Sequence, residues 1–587
     1  MANNDISKTT ISEATSRNWA RLHSDGSGRL MSRANKQLST KTIIPIEYFS
    51  NKNNIIYIQR FVASCKEQNY KVEDVIFSVG VRLLKEAGIY EKPHVAAALS
   101  SWRSPSTLSS LSTLSSSSLL ALPPLPSDEF DLLGLLYQCF LLEGEKNRKG
   151  SYYTPFEVAR NMTKGLDFSK GQTFFDPCCG SGAFLLSLDG ASPEQVLGCD
   201  NDPIAVMIAK INLLLKYKSQ VFEPQIIKCD YLKYYYKYKN SYIISNPPWG
   251  AVIFDDENNP ISTKESFSFF FEKAFNQLED GGKIRFLLPE SILNVKCHRN
   301  FRKFLLENTD IQSITKYPGT FSGVQTKYID VECKRTRHAL SPQDFVIECN
   351  ISNMSSGDNA RIITEMRKIN KSCFHLTNNL NFNLLSDSDL EKVQKILAKK
   401  KYTLKNSIWA LGVITGDNRN KVKSKRGRGM EPIYTGKEIE AYTLKRPRKF
   451  IKYKRTDYQQ VAKDEIYRAD EKLVYKFISK NLVFAYDDRK SLFLNSANIL
   501  IPRIPGMSIK TVLAFLNSEL FKFLYKSLFG EIKILKGNLL ELPFPEITPE
   551  IDKKLTDLVD EVLKGNKEAV KEIDALIYNI FSITYNQ

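Results

Sequence analysis

The segment with the most specific chemical signal is Asn246-Pro247-Pro248-Trp249, which follows an apolar run ending at Ser245. The two prolines lack a backbone N–H and restrict the chain, so the nearby carbonyl groups stay free to accept hydrogen bonds. The Asn246 amide oxygen adds an acceptor, and Trp249 supplies a flat surface for a planar ring. Acceptors that hold the hydrogens of an aromatic amine localise the nitrogen lone pair, which otherwise delocalises into the ring. The segment therefore predicts a site that makes an exocyclic amine nucleophilic.

A second segment joins an acidic residue to a glycine-rich turn. The apolar pair Phe174-Phe175 leads into Asp176, and Gly180-Ser181-Gly182 follows before a helical pattern. Glycines let the backbone turn tightly and approach a ligand closely. A carboxylate at the end of the strand would repel a pyrophosphate group, so this loop suits a cationic or amine-bearing ligand.

Two further acids follow later apolar runs. Asp200 ends the run Gly198-Cys199, about 20 residues after the glycine loop, and Asp230 follows Cys229. An acid at the end of the second strand is placed to hydrogen-bond ribose hydroxyls. Three successive strands that end in Asp outline a nucleoside-shaped crevice at the carboxyl edge of a sheet.

The elements that must position these residues lie between Gly150 and about Lys334. Short apolar runs alternate there with helical patterns; the runs are TFFD, QVLGCD, QIIKCD, YIISNPP, KIRFLLP and TKYIDVECK. Strands that alternate with helices indicate a mostly parallel α/β sheet.

The composition and charge indicate the class of partner. The chain has 587 residues, 42% of them hydrophobic and 25% charged, which predicts two to four globular domains. Its net charge of +18 favours a polyanionic partner, nucleic acid first. Most of the excess lies between Lys399 and Arg455, where 18 Lys or Arg accompany four acids.

Other classes are disfavoured. No apolar run reaches the roughly 18 residues of a membrane helix, and MANNDISKTT is not a secretion signal. The ten cysteines include no CxxC pair, which argues against a disulfide scaffold and a Cys-rich zinc site. We expect a cytoplasmic protein without a metal.

Taken together, the motifs resemble those of a known family. GSYYTP (150–155), DPCCGSGAF (176–184), GCDNDP (198–203), CDYL (229–232) and NPPW (246–249) are similar, in this order, to the gamma class of N6-adenine DNA methyltransferases. Both stand-alone type II enzymes and type I modification subunits share the pattern. A weaker resemblance over 406–547, in GVITGDNRN, EPIYTGKEIEAY, LAFLNSELFKFLY and LKGNLLELPFPEI, is to the C-terminal specificity domain of that family.

The resemblance implies S-adenosylmethionine as the cofactor. Asp176 with the glycine loop would surround its methionine part, Asp200 would hold the ribose, and Asp230 the adenine amino group. Tyr153, Thr154 and Pro155 would close over it. The implied cofactor-binding residues are Tyr153, Thr154, Pro155, Asp176, Cys178, Gly180, Gly182, Asp200, Asn201, Asp230 and Pro248.

The resemblance also implies an adenine rotated out of double-stranded DNA. Asn246 and the Pro247 carbonyl would accept hydrogen bonds from its amine, with Pro248 near the cofactor. Trp249 would stack on the base, where the family more often has Tyr or Phe. Phe321, in Gly319-Thr320-Phe321-Ser322-Gly323-Val324, is the candidate for the opposite face of the base.

Two basic clusters with interleaved aromatic residues are the candidates for DNA contact. Their members are Arg419, Lys421, Lys423, Lys425, Arg426 and Arg428 in the first cluster, and Lys445, Arg446, Arg448 and Lys449 in the second.

The expected fold class is α/β, with a Rossmann-like S-adenosylmethionine-dependent methyltransferase sheet, an N-terminal helical domain and a C-terminal mixed α/β target-recognition domain. We expect a helical domain (1–98), a Ser/Leu/Pro-rich linker (99–127), a catalytic domain (128–340), a helical connector (341–405), a basic target-recognition domain (406–548) and a helical tail (549–587).

Several alternatives stay open. N4-cytosine methylation also attacks an exocyclic amine, although Ser-Pro-Pro is more usual there. A C5-cytosine enzyme would need a thiolate, and Pro177-Cys178 lies in the glycine loop, away from such a role. Glu332-Cys333-Lys334 matches a nuclease triplet but falls where the last strand of the sheet is expected. A separate restriction endonuclease or specificity subunit is an open partner, and we expect a monomer.

Overall fold

The computed structural model describes residues 44–100, 125–126, 128–142, 152–234, 238–249, 265–320, 326–336, 345–354, 361–530 and 533–585. The chain divides into two compact units, one within Met31–Lys371 and the other within Ser372–Gln587. Phe321, most of the linker expected at 99–127 and the first 43 residues lie outside the described residues.

In the described part of the first unit, nine strands form one mixed sheet in the order β3-β2-β1-β4-β5-β7-β6-β8-β9. Neighbours from β3 to β5 are parallel, and β7 runs antiparallel to β5 and β6. The strands are β1 (Phe174–Asp176), β2 (Val196–Asp200), β3 (Gln225–Lys228), β4 (Asn240–Ser245), β5 (Leu278–Pro289), β6 (Asp310–Thr320), β7 (Lys327–Lys334), β8 (Phe345–Met354) and β9 (Arg361–Asn370).

Helices cover this sheet and bury its apolar strands. They are α1 (Ile55–Glu67), α2 (Val72–Glu86), α3 (Pro93–Ser100), α4 (Leu132–Phe140), α5 (Phe156–Thr163), α6 (Ala183–Leu186), α7 (Pro203–Lys216), α8 (Ser266–Asn276) and α9 (Arg299–Asn308). Helix α7 begins at Pro203 because Asp202 caps it, accepting from the Ile204 N–H at 3.0 Å, and proline is favoured at the first helical position.

The N-terminal helices share one hydrophobic core with the sheet. Phe61 of α1 and Ile76 of α2 are fully buried in the same cluster as Ile211 of α7 and Phe174 of β1. The N-terminal helices are therefore continuous with the sheet in their packing.

Two features of this sheet differ from the expectations. Strands β8 and β9 occupy residues where a helical connector over 341–405 is expected. In the described part of that range, the helical segments are Asp387–Ala398 and two short 3-10 segments, Lys371–His375 and Leu404–Asn406. Strand β8 pairs with β6 in parallel and with β9 in antiparallel orientation. The segment with Glu332-Cys333-Lys334 is an interior strand, β7, not the last strand of the sheet.

The second unit combines two small sheets with helices. The sheets run in the orders β10-β17-β14-β15 and β11-β13-β12-β16 in the described residues. Their strands are β10 (Ile408–Leu411), β11 (Val422–Lys423), β12 (Glu431–Tyr434), β13 (Lys449–Ile451), β14 (Lys472–Lys476), β15 (Phe484–Asp487), β16 (Leu492–Phe493) and β17 (Ala497–Ile501).

The helices of this unit pack on one another, on the first of these sheets and, in the case of the short helix that precedes β11, on the second sheet. They are α10 (Asp387–Ala398), α11 (Asn418–Lys421), α12 (Asp464–Tyr467), α13 (Ile509–Asn517), α14 (Glu519–Phe529), α15 (Lys536–Leu539), α16 (Pro549–Lys564) and α17 (Ala569–Ile580). Phe515, Phe521 and Ile573 join Leu473 and Leu500 in one buried core. In the described parts of both units, no helix is long and apolar enough to span a membrane.

Candidate functional site

A cavity of about 200 Å³ opens at the carboxyl edge of the parallel strands. It lies where the loops after β1, β2, β3 and β4 meet, which is the usual position for ligands in open α/β sheets. Its lining is Tyr152, Tyr153, Thr154, Asp176, Pro177, Cys178, Cys179, Gly180, Ser181, Ala183, Phe184, Asp200, Asn201, Asp202, Cys229, Asp230, Tyr231, Asn246, Pro248 and Phe270. Residues from all five sequence motifs therefore surround one cavity.

Asp176 is the buried carboxylate of this cavity. Its Oδ1 accepts from the Ser245 hydroxyl at 2.7 Å and from the Cys178 N–H at 3.0 Å. Its Oδ2 is buried and has no hydrogen-bond partner among the described residues. Burial raises the pKa of Asp176 to about 7, and the two hydrogen bonds lower it in part. An unpartnered buried oxygen of this kind favours a ligand that carries a hydrogen-bond donor.

The glycine loop has the backbone conformation that its sequence suggests. Gly180 and Gly182 have φ values of +52° and +92°, which side chains with a Cβ rarely adopt. A Cβ on Gly180 would also lie 3.0 Å from Cε1 of Tyr153. The loop therefore requires glycine at this position both for its conformation and for its contact with the Tyr153 ring.

Asp200 faces the cavity and also accepts a hydrogen bond from the glycine loop. Its Oδ2 accepts from the Gly180 N–H and its Oδ1 from the Asp202 N–H, both at 2.9 Å. Burial raises the pKa of Asp200, and these hydrogen bonds oppose the shift. Because each carboxylate oxygen has two lone-pair positions, Asp200 retains acceptor capacity for a ligand hydroxyl.

Tyr153 covers the loop from the other side. Its hydroxyl is buried without a hydrogen-bond partner in the described part of the chain. Burial, followed by the negative charge of Asp200, raises the pKa of Tyr153 far above its ordinary value, so the hydroxyl stays protonated. It is therefore a donor available to a ligand.

The Asn246 side chain has a defined orientation. Its Nδ2 donates to the backbone carbonyl of Tyr152 at 2.8 Å, which leaves Oδ1 as the acceptor that faces away from this bond. The Pro248 carbonyl accepts from the Ser266 hydroxyl at 2.5 Å, and Trp249 Nε1 donates to the Leu287 carbonyl at 3.1 Å. The segment is thus held before Pro247 by the Tyr152 carbonyl and after it by contacts with α8 and β5.

Asp230 lies at the exposed margin of the cavity. It accepts from the Leu232 N–H at 3.2 Å and lies 3.4 Å from the Lys233 ammonium. The wall beside it is apolar and aromatic: Tyr231 and Phe270 are buried, with their ring centroids 5.5 Å apart. This wall is suited to a planar ring.

The structure brings most, but not all, of the candidate residues to the cavity. Pro155, Gly182, Pro247 and Trp249 are adjacent in the chain to lining residues but do not line it. Additional lining residues, not selected from the sequence, are Tyr152, Pro177, Cys179, Ser181, Ala183, Phe184, Asp202, Cys229, Tyr231 and Phe270. Several of these lie inside the quoted motifs, whereas Phe270 lies in an aromatic-rich helix without a motif of its own.

The two basic clusters of the second unit meet in one small sheet. Strand β11 pairs with β13, so that Lys423 lies opposite Phe450. Eight of the ten candidate side chains are exposed, and Lys421 and Lys449 are half-buried. Lys421 Nζ donates to the Thr415 carbonyl at 2.9 Å, and Lys445 pairs with Glu440 at 2.5 Å. We call these ten residues the basic surface.

The nuclease-like triplet has a structural role. Cys333 is fully buried in β7, and Glu332 pairs with Lys283 at 3.4 Å across the sheet. The triplet is therefore part of the sheet interior.

Comparisons with known proteins agree with the fold and the cavity, which define a methyltransferase of the Rossmann-like class. Residues 128–371 match the family model described as N-6 DNA Methylase, and residues 431–544 match the TaqI-like C-terminal specificity domain. The type II methyltransferase M.VspI of Vibrio sp. (strain 343) is 30% identical over 321 residues, which cover 52% of this chain and 74% of that protein.

More distant similarities are consistent with this match. The methylase subunit of the type I restriction enzyme EcoEI from Escherichia coli is 25% identical over 232 residues, 35% of this chain and 46% of that subunit. The type IIL restriction-modification enzyme MmeI, solved in complex with DNA, has a similar fold, with a TM-score of 0.57 at 14% identity over 91% of this chain and 97% of that one.

The chain belongs to the N-6 DNA methylase family and is a DNA methyltransferase of the restriction-modification type. The resemblance seen in its motifs and the expected fold class are confirmed.

Proposed function

We propose that this enzyme transfers a methyl group from S-adenosylmethionine to the N6 amine of an adenine rotated out of double-stranded DNA. The observation that carries the proposal is the orientation of Asn246. Its Nδ2 is bonded to the Tyr152 carbonyl, so its Oδ1 is the acceptor offered beside a cavity that contains the buried carboxylate of Asp176.

The cavity fits S-adenosylmethionine on the chemistry of its lining. The unpartnered Oδ2 of Asp176 would accept from the ammonium of the methionine part, and Asp200 would accept from a ribose hydroxyl. Tyr231 and Phe270, which are stacked on each other, would form one wall beside the adenine ring, with Asp230 near its amino group. The proposed cofactor residues Tyr153, Thr154, Cys178, Gly180 and Asn201 line the same cavity, while Pro155 and Gly182 would act through the backbone.

The reaction that these residues support is a direct transfer. When bound, S-adenosylmethionine would supply a methyl group activated by its positively charged sulfur. Asn246 Oδ1 and the Pro247 carbonyl would accept from the target amine, which keeps the nitrogen lone pair available and stabilises the charge that develops on nitrogen. Positioning then provides the main rate effect, and no covalent enzyme nucleophile is needed.

Access to the amine requires base flipping, because the N6 atom lies inside the duplex. Trp249 would stack on the extruded base, its indole being fixed by the bond from Nε1 to the Leu287 carbonyl. Phe321 is proposed for the opposite face from its sequence context alone. The basic surface would bind DNA phosphates, since its clusters converge on strands β11 and β13.

N4-cytosine methylation is the alternative reaction, because its target is also an exocyclic amine. We favour adenine because the segment is Asn-Pro-Pro-Trp and the family model is that of N-6 methylases. The alternative to a monomer is an enzyme that is active only with a partner subunit, because one relative is a subunit of a type I enzyme. We favour a monomer, because the chain includes its own specificity-type domain.

The test is to express the chain alone in a bacterial host that lacks DNA methylation and to sequence the genome by a method that detects N6-methyladenine and N4-methylcytosine. We expect one short motif methylated on adenine. Asn246→Ala should abolish the signal while retaining cofactor binding, and Asn308→Ala, at an exposed position of α9, should leave it intact.

The outcomes separate the alternatives. If the methylated motif carried N4-methylcytosine instead of N6-methyladenine, the target would be cytosine and not adenine. An unmodified genome, with soluble protein that binds S-adenosylmethionine, would show that a partner subunit is needed. Normal methylation by Asn246→Ala would show that the amine-holding residue is wrongly assigned.

A further inference from the structure

A buried polar cluster connects the N-terminal segment to the glycine loop. The Tyr48 hydroxyl donates to Asp131 Oδ2 at 2.5 Å and lies 3.1 Å from the Ser181 hydroxyl oxygen. The three side chains are 6%, 3% and 1% exposed, respectively. Ser181 is the residue between Gly180 and Gly182, so this cluster reaches the cavity from behind.

Asp131 is the centre of the cluster. Its Oδ1 accepts from the Gly134 N–H at 2.9 Å, which caps helix α4, and from Asn212 Nδ2 of α7 at 2.8 Å. Asn212 Nδ2 also donates to the Ser181 carbonyl at 2.9 Å. The loop residue is thus held at its hydroxyl by Tyr48 and at its carbonyl by Asn212.

The packing around the cluster leaves little room for rearrangement. A Cβ placed on Gly134 would lie 2.1 Å from Asp131 Oδ2 and 2.5 Å from the Ser181 Oγ, well inside contact distance. Helix α4 and the loop therefore approach each other at a position where only glycine fits without displacing these atoms.

The segment that carries Tyr48 is itself anchored. The Ser50 N–H donates to Glu129 Oε2 at 2.8 Å, and the Phe130 N–H donates to Ser50 Oγ at 3.1 Å. Asn54 Nδ2 donates to carboxylate oxygens of Asp128 at 2.8 Å and Glu129 at 2.7 Å. Residues 48–54 and 128–131 are therefore joined by several hydrogen bonds, about 80 positions apart in sequence.

We propose that Tyr48 and Asp131 are positioning residues for the cofactor: they hold Ser181, and through it Gly180 and Gly182, in the conformation that receives S-adenosylmethionine. The inference rests on the proposed function, because it assumes that the cavity binds this cofactor. It assigns the N-terminal segment a direct part in supporting the cofactor site.

The test is a double-mutant cycle in S-adenosylmethionine affinity, measured by calorimetry on the full chain with Tyr48→Phe, Ser181→Ala and the double variant. Loss of one buried hydrogen bond should raise the Kd for Tyr48→Phe by about 5- to 20-fold. Turnover at saturating cofactor should change by less than about twofold, because the reacting groups are untouched. The double variant should be clearly less impaired than the product of the two single effects.

Tyr57→Phe is the matched control, because it removes a tyrosine hydroxyl from α1 at a position that is 53% exposed. It should leave the Kd unchanged and show no coupling to Ser181→Ala. If Tyr48→Phe fails to fold, Ser181→Ala tests the same contact from the loop side, and a higher Kd for S-adenosylmethionine is expected.

The outcomes distinguish this inference from the proposed function. Failure of the unmodified protein to bind S-adenosylmethionine would refute the proposed function. Normal binding by the unmodified protein, with an equal Kd for Tyr48→Phe or additive effects in the cycle, would overturn the positioning role alone. A lower melting temperature with an unchanged Kd would overturn it too, since the cluster would then be only structural.

Discussion

Cofactor affinity should weaken as the pH falls below 7, because Asp176 takes up a proton. The carboxyl group is fully buried, and burial raises its pKa to about 7. In the proposed complex Oδ2 accepts from the ammonium of S-adenosylmethionine, which requires the carboxylate form. Protonation would replace this acceptor with an O–H that faces a positively charged group.

The size of the effect follows from this pKa. With a value of about 7, roughly 9% of the free protein carries the carboxylate at pH 6.0 and roughly 76% at pH 7.5. If only the carboxylate form binds, the apparent Kd should be about eightfold higher at pH 6.0. Measurements should stay at or below pH 7.5 and be corrected for titration of the ligand, because a free α-amino group has lost about half of its protons at about pH 7.7.

The same shift has a consequence for stability. The pKa of Asp176 in the folded protein is above its ordinary value of 3.8, so its contribution to stability is fully present below pH 3.8 and is lost as the pH rises to about 7. The loss is on the order of 4 kcal/mol. A cationic ligand that pairs with the carboxylate offsets this loss, so the cofactor should stabilise the protein more at pH 7.5 than at pH 6.0.

The assay is calorimetric titration with S-adenosylmethionine at several pH values, in buffers of different ionisation enthalpy, so that protons released on binding are counted. Asp176→Asn, which cannot titrate, should bind weakly and with no dependence on pH. A Kd that stays constant between pH 6.0 and 7.5 would refute the reasoning. If the Kd of Asp176→Asn still depended on pH, the titrating group would be Asp200, whose pKa is also raised by burial.

Three further predictions concern other parts of the molecule. Ser266→Ala removes the hydroxyl that donates to the Pro248 carbonyl, so turnover should fall about 5- to 10-fold at an unchanged cofactor Kd; equal turnover in a methylation assay would contradict this. Lys472→Met leaves the Asp487 carboxylate buried without its ion pair at 2.6 Å and should cost about 3–5 kcal/mol in urea unfolding, while Lys472→Met/Asp487→Leu should recover most of it; equal stability of single and double variants would count against this. In the basic surface, neutralising Lys445, Arg446, Arg448 and Lys449 together should reduce the slope of log affinity for DNA against log salt by up to about 3.6, and an unchanged slope in binding titrations would exclude phosphate contact by these four residues.

The parts of the site that were predictable from sequence are those fixed by local chain direction. Parallel strands end at the same edge of a sheet, so Asp176, Asp200 and Asn246, each at or just after the end of a strand, had to converge. Asp230 follows β3 by two residues and lies at the margin for the same reason. No knowledge of side-chain packing was needed for this step.

Residues that reach the site through packing gave no such signal. Helix α8 contains phenylalanines on several faces, so its periodicity does not indicate that Phe270 is the one that lines the cavity. Tyr48 lies 83 positions from Asp131 and 133 from Ser181, and its neighbours in sequence contain no motif.

The strands β8 and β9 were not predicted from the sequence, because β8 contains a buried charged residue. Glu348 is 1% exposed in β8, where it pairs with Lys316 of β6 at 2.7 Å and with Arg367 of β9. In a sequence, a charged residue on the buried side of a strand breaks the alternation that would identify the strand. The ion pairs that make its burial tolerable come from two other strands and become visible only in the fold.

The distribution of charge separates the two ligands of the proposed reaction. The chain carries a net charge of +18, yet four aspartates line the cofactor cavity: Asp176, Asp200, Asp202 and Asp230. Carboxylates in a confined, poorly solvated site repel phosphate more strongly than they would in water. In the proposed reaction, the cavity would therefore disfavour the DNA backbone and favour an amine. The exposed lysines and arginines of the basic surface have the opposite preference. In the proposed reaction, the positive excess of the chain would serve the DNA, and the local acids would serve the cofactor. For this reason the net charge alone predicted a nucleic-acid partner but not the chemistry at the cavity.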